Sequence, residues 1–204
     1  MRLRFWIRQG LEMAGITALV SFVYALLMSH EAEHSFTTRF IFLLLMMGAA
    51  IQMILPGINF KTNVSVTLSF GSTRREAFWG LQCYQLIQVG LLTALVGLLA
   101  MVTTDAELAV QAVVPLTLGA MLVFSALGTL LGMAAVQFGG KIAILISVIL
   151  VLAAVGIMAV LFILSEGTLE LAFGSWELLA AGAAAYLLVR IPEKRTLDSF
   201  CVKL

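Results

Sequence analysis

Apolar positions along this chain neither alternate with polar ones nor keep to a narrow helical stripe. They gather into long runs separated by short polar stretches. Six runs, at 10–28, 40–58, 78–102, 108–136, 142–164 and 171–189, have the length needed to cross a bilayer. A hydrocarbon layer roughly 30 Å thick takes about 20 helical residues, because each backbone amide inside it must be satisfied within its own helix. The pattern therefore predicts an all-α, polytopic membrane protein with six transmembrane helices, folded as one membrane domain over 1–204. The fifth run carries no charge at all. The fourth contains Pro115 in its first third, so its opening residues read either as span or as an interfacial turn before it. The sixth contains Glu177, and 171–177 reads either as the start of the span or as a re-entrant segment.

The residues ahead of the first run are amphipathic. On a helix, Leu3, Trp6, Ile7 and Leu11 share one side while Arg4 and Arg8 stack on another. This predicts an elbow helix over 1–9 lying in the headgroup plane. The stretch also resembles the basic region of a secretory signal. The apolar run behind it is long, however, and closes on no small-residue cleavage site, so it is read as retained.

Composition removes the soluble alternatives. Hydrophobic residues make up 62% of the chain and charged ones 11%. With a mean hydropathy of +1.09, this is more apolar surface than a soluble core of 204 residues can hide. The net charge of +1 excludes a nucleic-acid binder, which needs a surplus of phosphate-neutralising cations. Cys83 and Cys201 lack the paired spacing of a zinc site or disulfide framework and read as buried or free thiols.

The cations set the orientation, since Lys and Arg are retained on the cytoplasmic side. With the N-terminus inside, Arg2, Arg4, Arg8, Lys61, Arg74, Arg75, Lys141, Arg190, Lys194, Arg195 and Lys203 all fall inside, and only Arg39 falls outside. Glu31, Glu33, Asp105, Glu107, Glu166 and Glu170 collect in the outer connections. Both termini are expected in the cytoplasm, with 59–77 as the largest inner loop and 190–204 as an inner tail, in the plasma membrane of a bacterial cell.

Loop 59–77 stands apart in composition. Thr73 followed three residues later by Glu76 forms a capping box that opens a helix leading into the third span. Arg74 and Arg75 then occupy that helix's first turn, where the positive end of the dipole disfavours cations, so they call for a partner or a function. Upstream, Val64, Val66, Leu68 and Phe70 alternate with polar residues, as in an extended segment, while Val64 and Leu68 also match helical spacing.

The segment Leu68-Ser69-Phe70-Gly71-Ser72-Thr73-Arg74-Arg75-Glu76-Ala77-Phe78-Trp79-Gly80 resembles the Leu-Ser-x-Gly-x-Ser/Thr-Arg-Arg/Lys-x-x-x-Phe stretch between the second and third spans of ATP-binding-cassette type-2 exporter permeases. The layout is similar too: a basic elbow, six spans, both ends inside, and the largest inner loop after span two. The resemblance implies that the loop docks on a separate ATP-hydrolysing subunit. Gly71, Ser72, Thr73, Arg74, Arg75, Glu76 and Phe78 would lie at that interface. It further implies a second permease chain, as a homo- or heterodimer, with ATP and magnesium on the partner subunit and no cofactor in this chain. One departure is the short outer connection between spans five and six, where many relatives place re-entrant helices.

The residues themselves bear on the energy source. Gly139-Gly140-Lys141-Ile142 lacks the glycine spacing and the hydroxyl of a phosphate-cradling loop, so any ATP is bound elsewhere. The central thirds of the six spans hold no Asp, Glu, Lys, Arg or His, which counts against a proton- or sodium-coupled carrier. What they hold instead is amide polarity. Gln82, Gln85 and Gln88 recur every three residues in span three with Tyr84 beside them, and Gln52 lies near the inner end of span two. An unpaired amide in hydrocarbon costs about 2 kcal/mol or more, so this stripe faces either a translocation path or another helix. Gly128-x-x-x-Gly132, and the run 180–185 around Gly182, are small-residue faces that let helices approach closely.

One motif belongs to a different class. His30-Glu31-Ala32-Glu33-His34 satisfies the His-Glu-x-x-His pattern, in which two imidazoles one turn apart bind zinc and the glutamate acts as general base. It sits in a short outer loop with a charged residue at its second variable position and no evident third ligand. It therefore reads mainly as a solvated acidic loop, with incidental metal binding as the alternative.

The expected function is thus the permease subunit of an ATP-driven exporter, itself not an enzyme. Acidic outer loops and uncharged spans suit amphipathic or cationic cargo such as peptides. The alternatives are a membrane metalloprotease using His30, Glu31 and His34, and a non-enzymatic channel or scaffold.

Overall fold

A computed structural model of the chain describes residues 2–27, 36–69, 71–102, 106–138, 145 and 175–198. Of these, 96% are helical and none lies in a strand, so the fold is all-α. The helices are α1 (Arg2–Leu27), α2 (Phe36–Lys61), α3 (Asn63–Ser69), α4 (Arg74–Ala100), α5 (Ala106–Phe138) and α6 (Ser175–Asp198). Four stretches, Leu3–Leu27, Arg39–Ser69, Arg74–Ala100 and Val113–Gln137, are long and apolar enough to cross a membrane. They coincide with the first four apolar runs. Leu145 apart, the fifth run lies outside the described residues, as do residues 171–174 of the sixth. Helix α6 is not among the four, being the least apolar of the long helices, with Glu177, Arg190, Glu193, Lys194, Arg195 and Asp198 along it.

Three segments differ in detail from the apolar pattern. The stretch expected as an elbow continues into the first span as one helix, α1, with no break at residue 9. Trp6 explains part of this: it is buried over Gly80 of α4, which seats the first turns of α1 against the bundle. Loop 59–77 is largely helical. Helix α2 runs on to Lys61 and α3 follows after a single turn residue, Thr62. The helical spacing of Val64 and Leu68 prevails over the alternation, with Val64 fully buried and Leu68 packed on the same cluster while Val66 faces outward. The hydroxyls of Thr62, Ser65, Thr67 and Ser69 turn back onto carbonyls three or four residues earlier, which satisfies a short helix rich in residues that otherwise favour turns. The third difference is the tail. Residues 190–198 continue α6 through Pro192, with Thr196 Oγ1 donating to the Pro192 carbonyl at 2.9 Å.

Helices α4 and α5 form the centre. Helix α5 packs on α2 and α6, and α4 packs on α1, α2 and α5. One apolar cluster gathers Trp6, Phe60, Leu81, Tyr84 and Leu197, and a second gathers Leu44, Leu92, Val96 and Met121. The small-residue faces meet partners within this same chain. A Cβ on Gly182 of α6 would lie 2.4 Å from the Gly119 carbonyl oxygen of α5, and one on Gly128 would lie 2.5 Å from the Met53 carbonyl oxygen of α2. Backbone thus rests on backbone at both crossings, and only glycine fits. Helix α1 turns Leu19, Val20, Val23 and Leu27 outward, as a lipid-facing helix does.

Candidate functional site

The N-terminus of α4 is built as its sequence predicts. Thr73, in extended conformation, accepts a hydrogen bond from the Glu76 amide on Oγ1 at 3.2 Å, and its own amide donates to Glu76 Oε2 at 2.9 Å. Two donors left over at the helix start are met by this reciprocal box. Gly71 turns the chain into it with φ of 77°, a left-handed conformation that costs a β-carbon-bearing residue steric energy. The turn is exposed at Gly71, Thr73, Arg74, Arg75 and Glu76, and half-buried at Ser72 and Phe78.

The cations at this helix start have an explanation. The Arg74 guanidinium donates to the Asp198 carbonyl at 2.5 Å, at the C-terminus of α6. A positive charge disfavoured by one dipole is thereby placed at the negative end of another. Arg75 points into the same region. With Arg74, Phe78, Trp79, Lys194, Leu197 and Asp198 it lines a cleft of about 350 Å³ between the ends of α4 and α6.

Two turns further along α4 lies a buried polar network. Gln82 Nε2 donates to both carboxylate oxygens of Glu193, at 3.0 and 3.1 Å, and Gln82 Oε1 accepts from the Tyr186 hydroxyl at 2.9 Å. Arg190 pairs with Glu193 one turn away on α6 and donates to Gln85 Oε1 at 2.8 Å. Gln85 Nε2 donates to Thr129 Oγ1 at 3.1 Å, and that hydroxyl donates to the Ser125 carbonyl. The Arg190 guanidinium also stacks over the Tyr186 ring, 3.6 Å from its centre. Charge on charge, amide on charge and cation on ring together hold α4, α5 and α6 at one level.

Gln82 and Gln85, the first two amides of the stripe, are therefore interhelical bonding groups. Gln88 and Gln52 are not part of this network. Both are fully buried, and neither amide atom of either has a hydrogen-bond partner among the described residues. Each amide group left unmet in hydrocarbon costs about 1–3 kcal/mol, so these two mark a second buried polar surface, beyond what the described helices satisfy.

Sequence reasoning missed Glu193 and Arg190 as site residues, assigning them to an inner tail. The available signal was their opposite charge at a spacing of three, immediately after an apolar run that faces a glutamine stripe. His30, Glu31 and His34 lie outside the described residues. Among the described residues no three His, Cys, Asp or Glu side chains gather to hold a metal.

Known proteins supply no relative. The chain matches no protein-family model, no curated protein and no solved structure. The residues and their geometry are what bear on function.

Proposed function

We propose that this chain is the membrane-spanning permease subunit of an ATP-driven exporter, worked from the cytoplasm by a separate ATP-hydrolysing subunit. The carrying observation is that one helix, α4, bears both the exposed, capped basic turn at its N-terminus and the buried Gln82 and Gln85 two to three turns inward. Force applied at Gly71–Glu76 has a rigid path to the polar level of the bundle. The Arg74 bond to Asp198 and the Gln82 and Gln85 bonds to Glu193 and Arg190 tie α6 to the same movement.

In this reading the protein has six spans, both termini inside, and a second permease chain facing it. ATP and magnesium act on the partner subunit. Closure of that subunit pushes the turn, α4, α5 and α6 move together against α2, and the amides of Gln52 and Gln88 become accessible to cargo. Such amides suit peptide-like or amphipathic substrates, whose own amide groups can pair with them.

The test is Arg75→Glu, which reverses an exposed charge and leaves the Arg74–Asp198 bond in place. Tagged chain purified from native membranes is expected to carry magnesium-dependent ATP hydrolysis with it, and the variant to lose that activity while still inserting. Equal ATPase yield and equal transport from the variant would overturn the coupling role.

A further inference from the structure

The cleft between the ends of α4 and α6, which shares Arg74, Arg75 and Phe78 with the coupling turn, combines three features. The first is charge. Arg74, Arg75 and Lys194 contribute three cations to its lining against one carboxylate, that of Asp198, whose carbonyl already takes Arg74. Arg75 and Lys194 have no ion-pair partner among the described residues. The second is aromatic surface: Phe78 lines the cleft, and Trp79 stands 56% exposed at its edge. Tryptophan beside cations is the side-chain chemistry of the boundary between hydrocarbon and headgroups.

The third feature is what leads away from the cleft. On α4, Trp79 begins an exposed stripe that continues through Leu86, Gly90, Ala94 and Leu98, at spacings of seven, four, four and four. On α6, Lys194 begins a stripe that continues in the opposite chain direction through Ile191, Leu187 and Ala184, all exposed. The two helices are antiparallel here, since Arg74 meets Asp198, Gln82 meets Glu193 and Gln85 meets Arg190. Both stripes therefore run the same way from the same cleft. The α4 stripe alone runs over 20 residues, or about 28 Å of helix. One leaflet's acyl chains need about 15 Å, half the hydrocarbon thickness.

We infer that this cleft is a binding site for an anionic glycerophospholipid of the adjoining leaflet. The phosphate sits among Arg75, Lys194 and Arg74, and the acyl chains lie along the α4 and α6 stripes. Basic pockets between helix ends take anionic headgroups through attraction that zwitterionic lipids do not match, and about 350 Å³ is room for a headgroup. Trp79 would lie at the glycerol level, its ring between the two regions. The inference shares Arg75 with the transport reading but needs neither a partner chain nor nucleotide, so it is tested without either.

The experiment uses the full chain, purified and placed in lipid nanodiscs of mostly phosphatidylcholine. Trp79 is the reporter, and a minor share of either brominated phosphatidylglycerol or brominated phosphatidylcholine is the quencher. The expected result is stronger quenching by the anionic lipid, with the excess absent in Trp79→Phe. In Arg75→Gln with Lys194→Gln the concentration of anionic lipid needed for half-quenching rises on the order of tenfold. In Arg75→Lys with Lys194→Arg the preference is retained. Equal quenching by the two lipids in the unaltered chain overturns the site. So does an excess that survives the double glutamine change. If that change leaves quenching untouched but removes a co-purifying protein, the cleft belongs to that protein and the lipid assignment fails.

Discussion

Glu193 is the residue on which most of the polar network converges. It is fully buried, and its carboxylate takes both Arg190 and the Gln82 amide. A buried ion pair is not in itself a large source of stability, since desolvation offsets most of its attraction, but breaking one side of it is costly. Glu193→Ala leaves Arg190 without its countercharge and is expected to cost about 3–5 kcal/mol, seen as a large loss in Tm of the detergent-purified chain. Glu193→Leu combined with Arg190→Met removes both charges and is expected to recover much of that loss. An unchanged Tm for Glu193→Ala would show that the carboxylate is solvated rather than part of the core. The contrast with Gln88 is chemical. Both groups are buried on the same bundle, but among the described residues one is met by a charge pair and the other by no polar partner.

At the scale of the element, α4 is unusual in how sharply its start is specified. Gly71, Thr73 and Glu76 cooperate within six residues, a left-handed turn and a two-way cap, to begin the helix at Arg74. Thr73→Ala removes the side-chain half of that cap at a cost of about 1 kcal/mol. Amide hydrogen exchange at Glu76 is expected to quicken by about fivefold, while amides beyond Leu81 keep their protection. Uniform quickening along α4 would mean that the helix opens as one unit and that the cap does not set its end. The cap and the glutamine stripe were both legible before any coordinates, because they depend on spacings of three along one helix. The state of 62–69 was not. Alternation and helical spacing fit that segment equally well, and what selects the helix is the burial of Val64 against a cluster assembled from α1, α2, α4, α5 and α6.

For the whole molecule, the arrangement of helices makes orientation a measurable consequence of charge. The proposed orientation, with cations retained inside, expects Ser72 in the cytoplasm and Glu31 outside. In a chain with Cys83 and Cys201 replaced by serine, Ser72→Cys is expected to react with a membrane-impermeant maleimide only after permeabilisation. Glu31→Cys is expected to react in intact cells. Reaction of Ser72→Cys from outside would reverse the topology and remove the coupling role with it. Helix α6 meets its two neighbours by different means. Against α5 it rests backbone on backbone at Gly119 and Gly182. To α4 it is bound by directional hydrogen bonds from Arg190, Glu193 and the Asp198 carbonyl.

The one-dimensional pattern by itself determined the all-helical class, four of the long apolar helices, the capped start of α4 and the polarity of its inner half. Each is a property of neighbours along the chain, set by hydropathy, period and local hydrogen bonding. Only the tertiary structure decided that Gln82 and Gln85 are satisfied while Gln52 and Gln88 are not, that Arg74 rests on the end of α6, and that Glu193 belongs to the core rather than to a tail. Those outcomes depend on residues more than 100 positions apart in the cases of Gln82 with Glu193 and Arg74 with Asp198. No periodicity within a helix encodes which distant helix end will meet it. That is settled by the close backbone crossings at Gly128 and Gly182, which set how near α2, α5 and α6 lie to one another and therefore which side chains reach α4.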